Sequence, residues 1–180
     1  MKNVIVIPNF DDLDQHKSCI KDCRAGFCTL GSTRAKAGSA EAFEHIDYDY
    51  TMAIGRMAKE AGCDWFGVVT SVGADPNSSF LYPRVKGRIE RDLAELAFPC
   101  LAIFRPGFLL CERKESRPLE QLGMFFAKGI NWCIPNRIAI PTETVATAMV
   151  KDSINWLSKS PNSQNKVLIY DNKQIAAAAE

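Results

Sequence analysis

No stretch of this chain is both long and free of charge, which excludes an apolar helix of membrane-spanning length. It also lacks a charge excess. Lys and Arg total 22 against 21 Asp and Glu, a formal net charge of +1, so a global positive field for nucleic acid is excluded and no direct nucleic-acid partner is expected. Histidine is scarce, with only two. Cys19 and Cys23 sit one helical turn apart, but no second Cys/His pair follows at zinc spacing, so they read as packing residues and no metal is expected. Met1–Asp12 lacks the apolar length and small-residue cleavage site of a signal peptide. The seven cysteines are therefore expected to be reduced thiols in a cytoplasmic or nuclear protein. With 180 residues, 47% of them apolar and 24% charged, the chain is long enough for one domain with a sizeable core.

The pattern that is present is short apolar runs alternating with helical periodicity. Strands are expected at Val4–Ile7, Phe27–Leu30, Trp65–Thr70, Cys100–Phe104, Arg137–Ile140 and Lys166–Tyr170. Helices are expected over Leu13–Cys23, Glu41–Ala61, Leu81–Leu96, Leu119–Ala127, Thr142–Leu157 and Ala176–Ala179. In the helix Glu41–Ala61 the apolar stripe is Phe43, Ile46, Tyr50, Ile54, Met57 and Ala61. Pro83 fits the following helix because it falls in the first turn. Strands apolar throughout, separated by helices, imply a parallel sheet covered on both faces, the α/β doubly wound Rossmann-like class. No repeat or domain linker interrupts residues 1–180.

The sharpest local feature is Tyr82-Pro83-Arg84-Val85-Lys86, which puts Tyr82 and Lys86 on one helix face. An ammonium beside a phenol favours the phenolate, and such a tyrosine can act as general acid or base in carbonyl/alcohol redox chemistry. Ser71, at the carboxyl end of the strand Trp65–Thr70, stands where ligands bind in this fold class and could hydrogen-bond a substrate oxygen. A Tyr-x-x-x-Lys pair alone arises by chance; the strand–Ser–loop–helix setting makes it specific. The other chemistry-bearing residues read as ordinary structure. Cys28, Cys63, Cys100 and Cys133 lie in or beside apolar runs, His16 and His45 on polar faces, and Arg84, Arg88 and Arg91 on a solvated helix face.

These features resemble the short-chain dehydrogenase/reductase superfamily. The stretches Gly26–Arg34 with Lys36-Ala37-Gly38, Asp49-Tyr50, Ser71–Asp75, Asn77–Lys86, Phe104–Cys111 and Glu115-Ser116-Arg117-Pro118 are similar to its atypical branch, the HIV Tat-interacting oxidoreductase (metastasis suppressor) family. The resemblance implies that Ser71, Tyr82 and Lys86 form a catalytic triad, with Lys86 also holding the nicotinamide ribose. It implies that Leu30, Gly31, Ser32 and Thr33 line the cofactor, and that Arg105, Pro106 and Gly107 turn beside the nicotinamide. It further implies NADPH as cofactor, a small carbonyl or alcohol substrate, and a regulatory role in transcription and apoptosis through nuclear import receptors or transcription-related proteins.

The superfamily opens with a strand, a Gly-rich turn and a helix that cradle a pyrophosphate. The sequence contains no Gly-x-x-Gly-x-x-Gly run, and Val4–Pro8 lines up with the family's third strand. An N-terminally truncated sheet is therefore expected, short of a βαβ opening of on the order of 50 residues. Either Val4–Ile7 moves in beside Phe27–Leu30, or a bare apolar edge remains. Three readings follow: an NADPH-linked oxidoreductase with impaired cofactor binding, a non-catalytic interaction protein on the same fold, or an unstable fragment.

Overall fold

The computed structural model describes residues 4–110, 139–159 and 165–180. Strands Ala25–Cys28 (β1), Trp65–Val69 (β2) and Cys100–Phe104 (β3) form one parallel sheet with a later strand, Lys166–Tyr170 (β6). The order across this sheet is β1-β2-β3-β6, in the register Ala25↔Trp65, Trp65↔Cys100 and Cys100↔Lys166. A separate parallel pair joins Phe108–Leu110 (β4) to Ala139–Pro141 (β5). The helices are Arg34–Ala37 (α1), Ala40–Glu44 (α2), Tyr50–Glu60 (α3), Leu81–Glu95 (α4), Thr142–Ser158 (α5) and Asn172–Ala179 (α6). A 3-10 helix spans Phe10–Ile20, and a π-helical segment, His45–Asp49, joins α2 to α3.

The two central strands are buried on both faces because their side chains alternate between two cores. Phe66, Val68, Leu101 and Ile103 face a cluster with Met52 and Ala58 of α3 and Val85, Ile89 and Leu93 of α4. Trp65, Cys100, Ala102 and Phe104 face the other cluster, with Val145, Ala148 and Met149 of α5 and Ile175 of α6. On that second face Asp152 of α5 ties helix to sheet. Its carboxylate accepts from Trp65 Nε1 at 2.8 Å and from the Tyr170 hydroxyl at 2.7 Å. Burial, with Asp152 adding to it, pushes the neighbouring Cys100 thiol up to about 12. The doubly wound parallel architecture expected from the alternation is the one observed.

Several local expectations are corrected. Val4–Ile7 is not a strand, and Val4 and Val6 are 86% and 82% exposed. Pro8 and the Asn9 cap, whose side chain accepts from Asp11 N at 3.1 Å, commit the next residues to the 3-10 helix instead. The sheet therefore has no internal gap: among the described residues it ends at β1, whose partner is β2. The helix expected over Leu13–Cys23 is that 3-10 helix, which buries only Leu13. β1 begins at Ala25 rather than Phe27 and runs through Gly26. A Cβ there would meet the Phe66 ring at 2.8 Å, so the small residue serves close packing rather than a chain break.

The long helix carries the π segment, and of the expected apolar stripe its buried side keeps only Phe43 and Met57. Phe43, Asp47, Thr51, Met52, Gly55, Met57 and Ala58 are buried, whereas Ile46, Tyr50 and Ile54 are only partly so. A π turn inserts an extra residue and rotates the stripe. Strand β4 was not anticipated, and α6 starts at Asn172, four residues earlier than expected, on an Asp171–Gln174 capping box. Residues 111–138 lie outside the described residues. With them go Cys111, Glu115-Ser116-Arg117-Pro118, the helix Leu119–Ala127, Cys133 and the start of the strand expected at Arg137.

Candidate active site

The carboxyl ends of β1, β2 and β3 carry the expected site residues on three loops, and the first turns of α4 meet them. The chain after β2 folds back onto α4. Asp75 N donates to Pro83 O at 3.0 Å, and the loop backbone lies directly against Gly87. A Cβ at Gly87 would stand 2.2 Å from Pro76 N and 2.3 Å from the Asp75 carbonyl carbon, so only glycine lets the loop reach the helix here.

Ser71 is buried, and its Oγ has no hydrogen-bond partner among the described residues. A buried hydroxyl left unpaired is costly, which makes it a poised partner for a ligand oxygen. Tyr82 is 44% exposed, with its ring centroid 6.0 Å from that of Phe43. Lys86 lies one turn on, and its Nζ is 5.8 Å from the Tyr82 ring centroid. Unlike the tyrosine, Lys86 is buried, at 4% exposure. Its ammonium donates at 2.7 Å to Asp47 Oδ1, and Asp47 is fully buried. The other oxygen of Asp47 accepts from Ser32 N at 2.7 Å. One carboxylate thus joins the loop after β1 to the lysine of α4.

Within that loop Leu30 packs on the core and Gly31 is exposed. A Cβ at Gly31 would stand 3.5 Å from both Asp47 Oδ1 and Lys86 Nζ, so the loop lies over the ion pair. Thr33 caps α1, its hydroxyl accepting from Lys36 N at 3.3 Å. Below the loop, burial pushes the Cys28 thiol up.

At the third loop, the Arg105 side chain turns onto Glu90 of α4. The guanidinium Nε donates to Oε1 at 2.9 Å, and Nη2 makes a short contact to Oε2. Glu90, 6% exposed, also accepts from Thr70 Oγ1 at 2.6 Å. The bidentate pair raises the Arg105 pKa and locks the ends of β2 and β3 to α4. Pro106 O accepts from Val72 N at 2.9 Å, and Gly107 N donates to Asn172 Oδ1 at 2.8 Å. Arg105, Pro106 and Gly107 therefore serve the fold through these contacts.

The structure brings Lys86 to Ser32 and Gly31, and Tyr82 to Phe43, while Ser71 opens the loop held on α4. Sequence reasoning missed Asp47 and Glu90. Asp47 lies four residues from both Phe43 and Thr51, on the stripe that faces α4. A carboxylate at that position, with a lysine on the neighbouring helix, was the available signal. The basic residues of α4 have local partners: Arg84 bonds Ser78 O and Ser79 O, Arg88 bonds Glu44 and covers the Tyr48 ring, and Arg91 pairs with Asp92. Cys63 is buried, its thiol donating to Cys23 O at 2.9 Å, and Cys19 is exposed.

No family model matches the chain. It is similar to the protein HTATIP2 of Rattus norvegicus, 40% identical over 169 residues, which is 94% of this chain and 67% of that protein. It is also similar to the protein FMP52-1, mitochondrial, of Scheffersomyces stipitis, 48% identical over 55% of this chain and 44% of the relative. Protein FMP52, mitochondrial, of Coccidioides immitis is 35% identical over 83% of this chain and 63% of its own length. Among solved structures, MoeE5 in complex with UDP-glucose and NAD superimposes with a TM-score of 0.63 at 12% identity, over 92% of this chain and 61% of that one. A UDP-galactose 4-epimerase gives 0.62 at 11% identity, over 90% and 59%. These likenesses show the Rossmann-like fold. The chain thus spans about two thirds or less of the length of these relatives and structures. Among the described residues no helix is long and apolar enough to cross a membrane.

Proposed function

The chain belongs to the family of HTATIP2 and the FMP52 proteins, an atypical branch of the short-chain dehydrogenase/reductase-like oxidoreductases, and on that premise we propose that it carries the catalytic side of an NADPH-linked carbonyl/alcohol oxidoreductase. The observation that carries the reading is the unpaired Ser71 Oγ at the end of β2, with Tyr82 and the buried Lys86 on the helix that follows. The residues fit the nicotinamide end of a dinucleotide: Lys86 has three N–H donors and spends one on Asp47, leaving two for ribose hydroxyls.

When bound, the dinucleotide would supply the hydride that reduces a carbonyl carbon. Ser71 Oγ donates to the carbonyl oxygen and orients it. Tyr82 gives its hydroxyl proton to that oxygen as the alcohol forms, and takes one from the alcohol in the reverse direction. Lys86 holds the ribose and places positive charge beside the resulting phenolate. Val72 and Phe80, 67% and 77% exposed, flank Ser71 and Tyr82 in the chain and suit a substrate with an apolar body.

Family membership also motivates a regulatory role through nuclear import receptors or transcription-related partners, with cytoplasmic and nuclear residence. The fungal relatives bear the word mitochondrial in their names. One observation favours a second, non-catalytic reading: among the described residues β1 ends the sheet, with Phe27 46% exposed, an edge on which another chain could pair.

The test is NADPH titration followed by nicotinamide fluorescence and by melting. Saturable binding is expected, with stabilisation of about 2.7 kcal/mol at a hundredfold excess over Kd. Tyr82→Phe should still bind NADPH but lose about 10²–10⁴-fold in carbonyl reduction. A cooperatively melting protein that ignores NADPH overturns the oxidoreductase reading and leaves the interaction reading.

A further inference from the structure

Ser71, Tyr82 and Lys86 gather at the carboxyl ends of the strands; at the opposite end, two cysteines stand side by side just before β1 and β2. We propose that Cys23 and Cys63 are a redox-active dithiol, a modification site at which a hydroperoxide joins them in a disulfide. The proposal stands whether or not the chain binds NADPH.

The backbone sets the pair. β1 and β2 run parallel with Ala25 opposite Trp65. One row earlier, Arg24 O accepts from Asp64 N at 2.9 Å and from Trp65 N at 3.1 Å. The same register carried back once more puts Cys23 opposite Cys63. Neighbouring strands lie about 4.8 Å apart, inside the separation of about 4.4–6.8 Å between Cα atoms that a disulfide spans. One sulfur already reaches across, since Cys63 Sγ donates to Cys23 O at 2.9 Å. Both side chains serve the same face: Cys63 belongs to the core cluster under α3 and α4, and Cys23 packs against that cluster. Each cysteine follows a left-handed residue, Asp22 at φ 63° and Gly62 at φ 80°. Lys17 pairs with Glu60 at 2.9 Å and joins the helices that lead into these two turns.

Access divides the roles. Cys23 is half-buried, whereas Cys63 is 3% exposed. Burial first, and then the nearby Cys23 sulfur, pushes the Cys63 thiol up, so it stays protonated at neutral pH and is not the first to react. A hydroperoxide therefore meets Cys23. Its sulfur attacks the terminal peroxide oxygen, the O–O bond breaks, and the alcohol (water, for hydrogen peroxide) leaves with the thiol proton. Cys23 is now a sulfenic acid. Cys63 Sγ attacks Cys23 Sγ, the S–S bond forms, the S–O bond breaks, and the hydroxyl leaves as water with the Cys63 proton. Two electrons have passed from the two sulfurs to the peroxide. Among the other described cysteines, Cys28 stands opposite Val68, five rows and about 16 Å along the strands from Cys63, and Cys100 faces the opposite core.

The bond would close a ring around β1, the loop Leu30–Thr33 and the π segment. The experiment treats the full chain with a small excess of hydrogen peroxide, blocks the remaining thiols, and maps the digested peptides by mass spectrometry. A Cys23–Cys63 peptide is expected, with an intact mass lower by about 2 Da, and dithiothreitol should reverse both. The melting temperature should rise by about 5–10 °C on oxidation and return on reduction. Cys19→Ser, which removes the exposed neighbour on the 3-10 helix, should form the same link. Cys63→Ser should stop at the sulfenic acid, trapped on Cys23 by dimedone. Cys23→Ser should form no internal link, and it alone decides if Cys63→Ser does not fold.

A parent whose Cys23 and Cys63 both stay free under peroxide overturns the proposal. So does a link from Cys23 to Cys19, to any other cysteine or to a second copy, or an internal link that persists in Cys23→Ser.

Discussion

Gly87 of α4 sets two effects of opposite sign against each other. In an ordinary helix interior, Gly→Ala adds about 1 kcal/mol of stability through lower backbone entropy in the unfolded chain. At Gly87 the added Cβ would stand 2.2 Å from Pro76 N, 2.3 Å from the Asp75 carbonyl carbon and 2.7 Å from Asp75 Cα. These are backbone atoms, so no side chain can swing away, and the loop must retreat by about 1.2 Å to reach ordinary contact. Overpacking of that kind costs about 2–3 kcal/mol when the backbone must shift. The balance for Gly87→Ala is then a loss of about 1–2 kcal/mol, which lowers the melting temperature by about 2–8 °C in a chain of this length. The same retreat draws Ser71 away from α4, and displacement on the scale of 1 Å can cost about 10²-fold in rate at a reacting centre. Calorimetric melting of parent and variant checks the first figure. Gly31→Ala is the control, because its Cβ makes ordinary contact at 3.5 Å and should change stability by less than about 0.5 kcal/mol. A Gly87→Ala variant that melts at or above the parent would show that helix propensity wins, and that α4 does not hold the Ser71 loop by close contact.

Further expectations concern stability and pH. Asp152→Ala orphans Trp65 Nε1 and the Tyr170 hydroxyl together, which should cost about 2–3 kcal/mol in a denaturant titration. It should also lower the Tyr170 pKa, read by ultraviolet absorbance, because burial first and Asp152 second now hold that pKa up. His45 lies between Asp49 and Asp11, each 2.8 Å from a ring nitrogen, and these contacts raise its pKa above 6.5. A raised folded pKa means that the stabilisation is complete below about pH 6.5 and is lost as the pH rises through the folded value. NMR titration of His45 should therefore show a midpoint above 6.5 that falls in Asp11→Asn, and an unmoved midpoint would show that the 3-10 helix is not held by this contact.

Much of the architecture was written in the chain. Strands such as Cys100–Phe104, apolar at every position, can only be buried on both faces, and that requires helices on both sides of a parallel sheet. The helix bearing Tyr82 and Lys86 was legible from periodicity, and their shared face follows from 3.6 residues per turn. Ser71 was legible as well, because its position depends only on where β2 ends.

Tertiary structure decided what those residues meet. Periodicity assigned the stripe of the long helix to Phe43, Ile46, Tyr50, Ile54, Met57 and Ala61, of which Phe43 and Met57 are buried. The π segment rotated it to Asp47 and Thr51, since burying one carboxylate against a lysine and a backbone amide satisfies all three groups. Arg105, matched by resemblance to a cofactor turn, is drawn to Glu90 because a buried carboxylate must find a charge partner. Val4–Ile7 had the composition of a strand but leaves the outer edge of β1 unpaired, because Pro8 and the Asn9 cap carry the chain into the 3-10 helix, and a strand exists only through its partner's hydrogen bonds. Local pattern specified the elements; the pairings between distant segments, which no local pattern encodes, built the site.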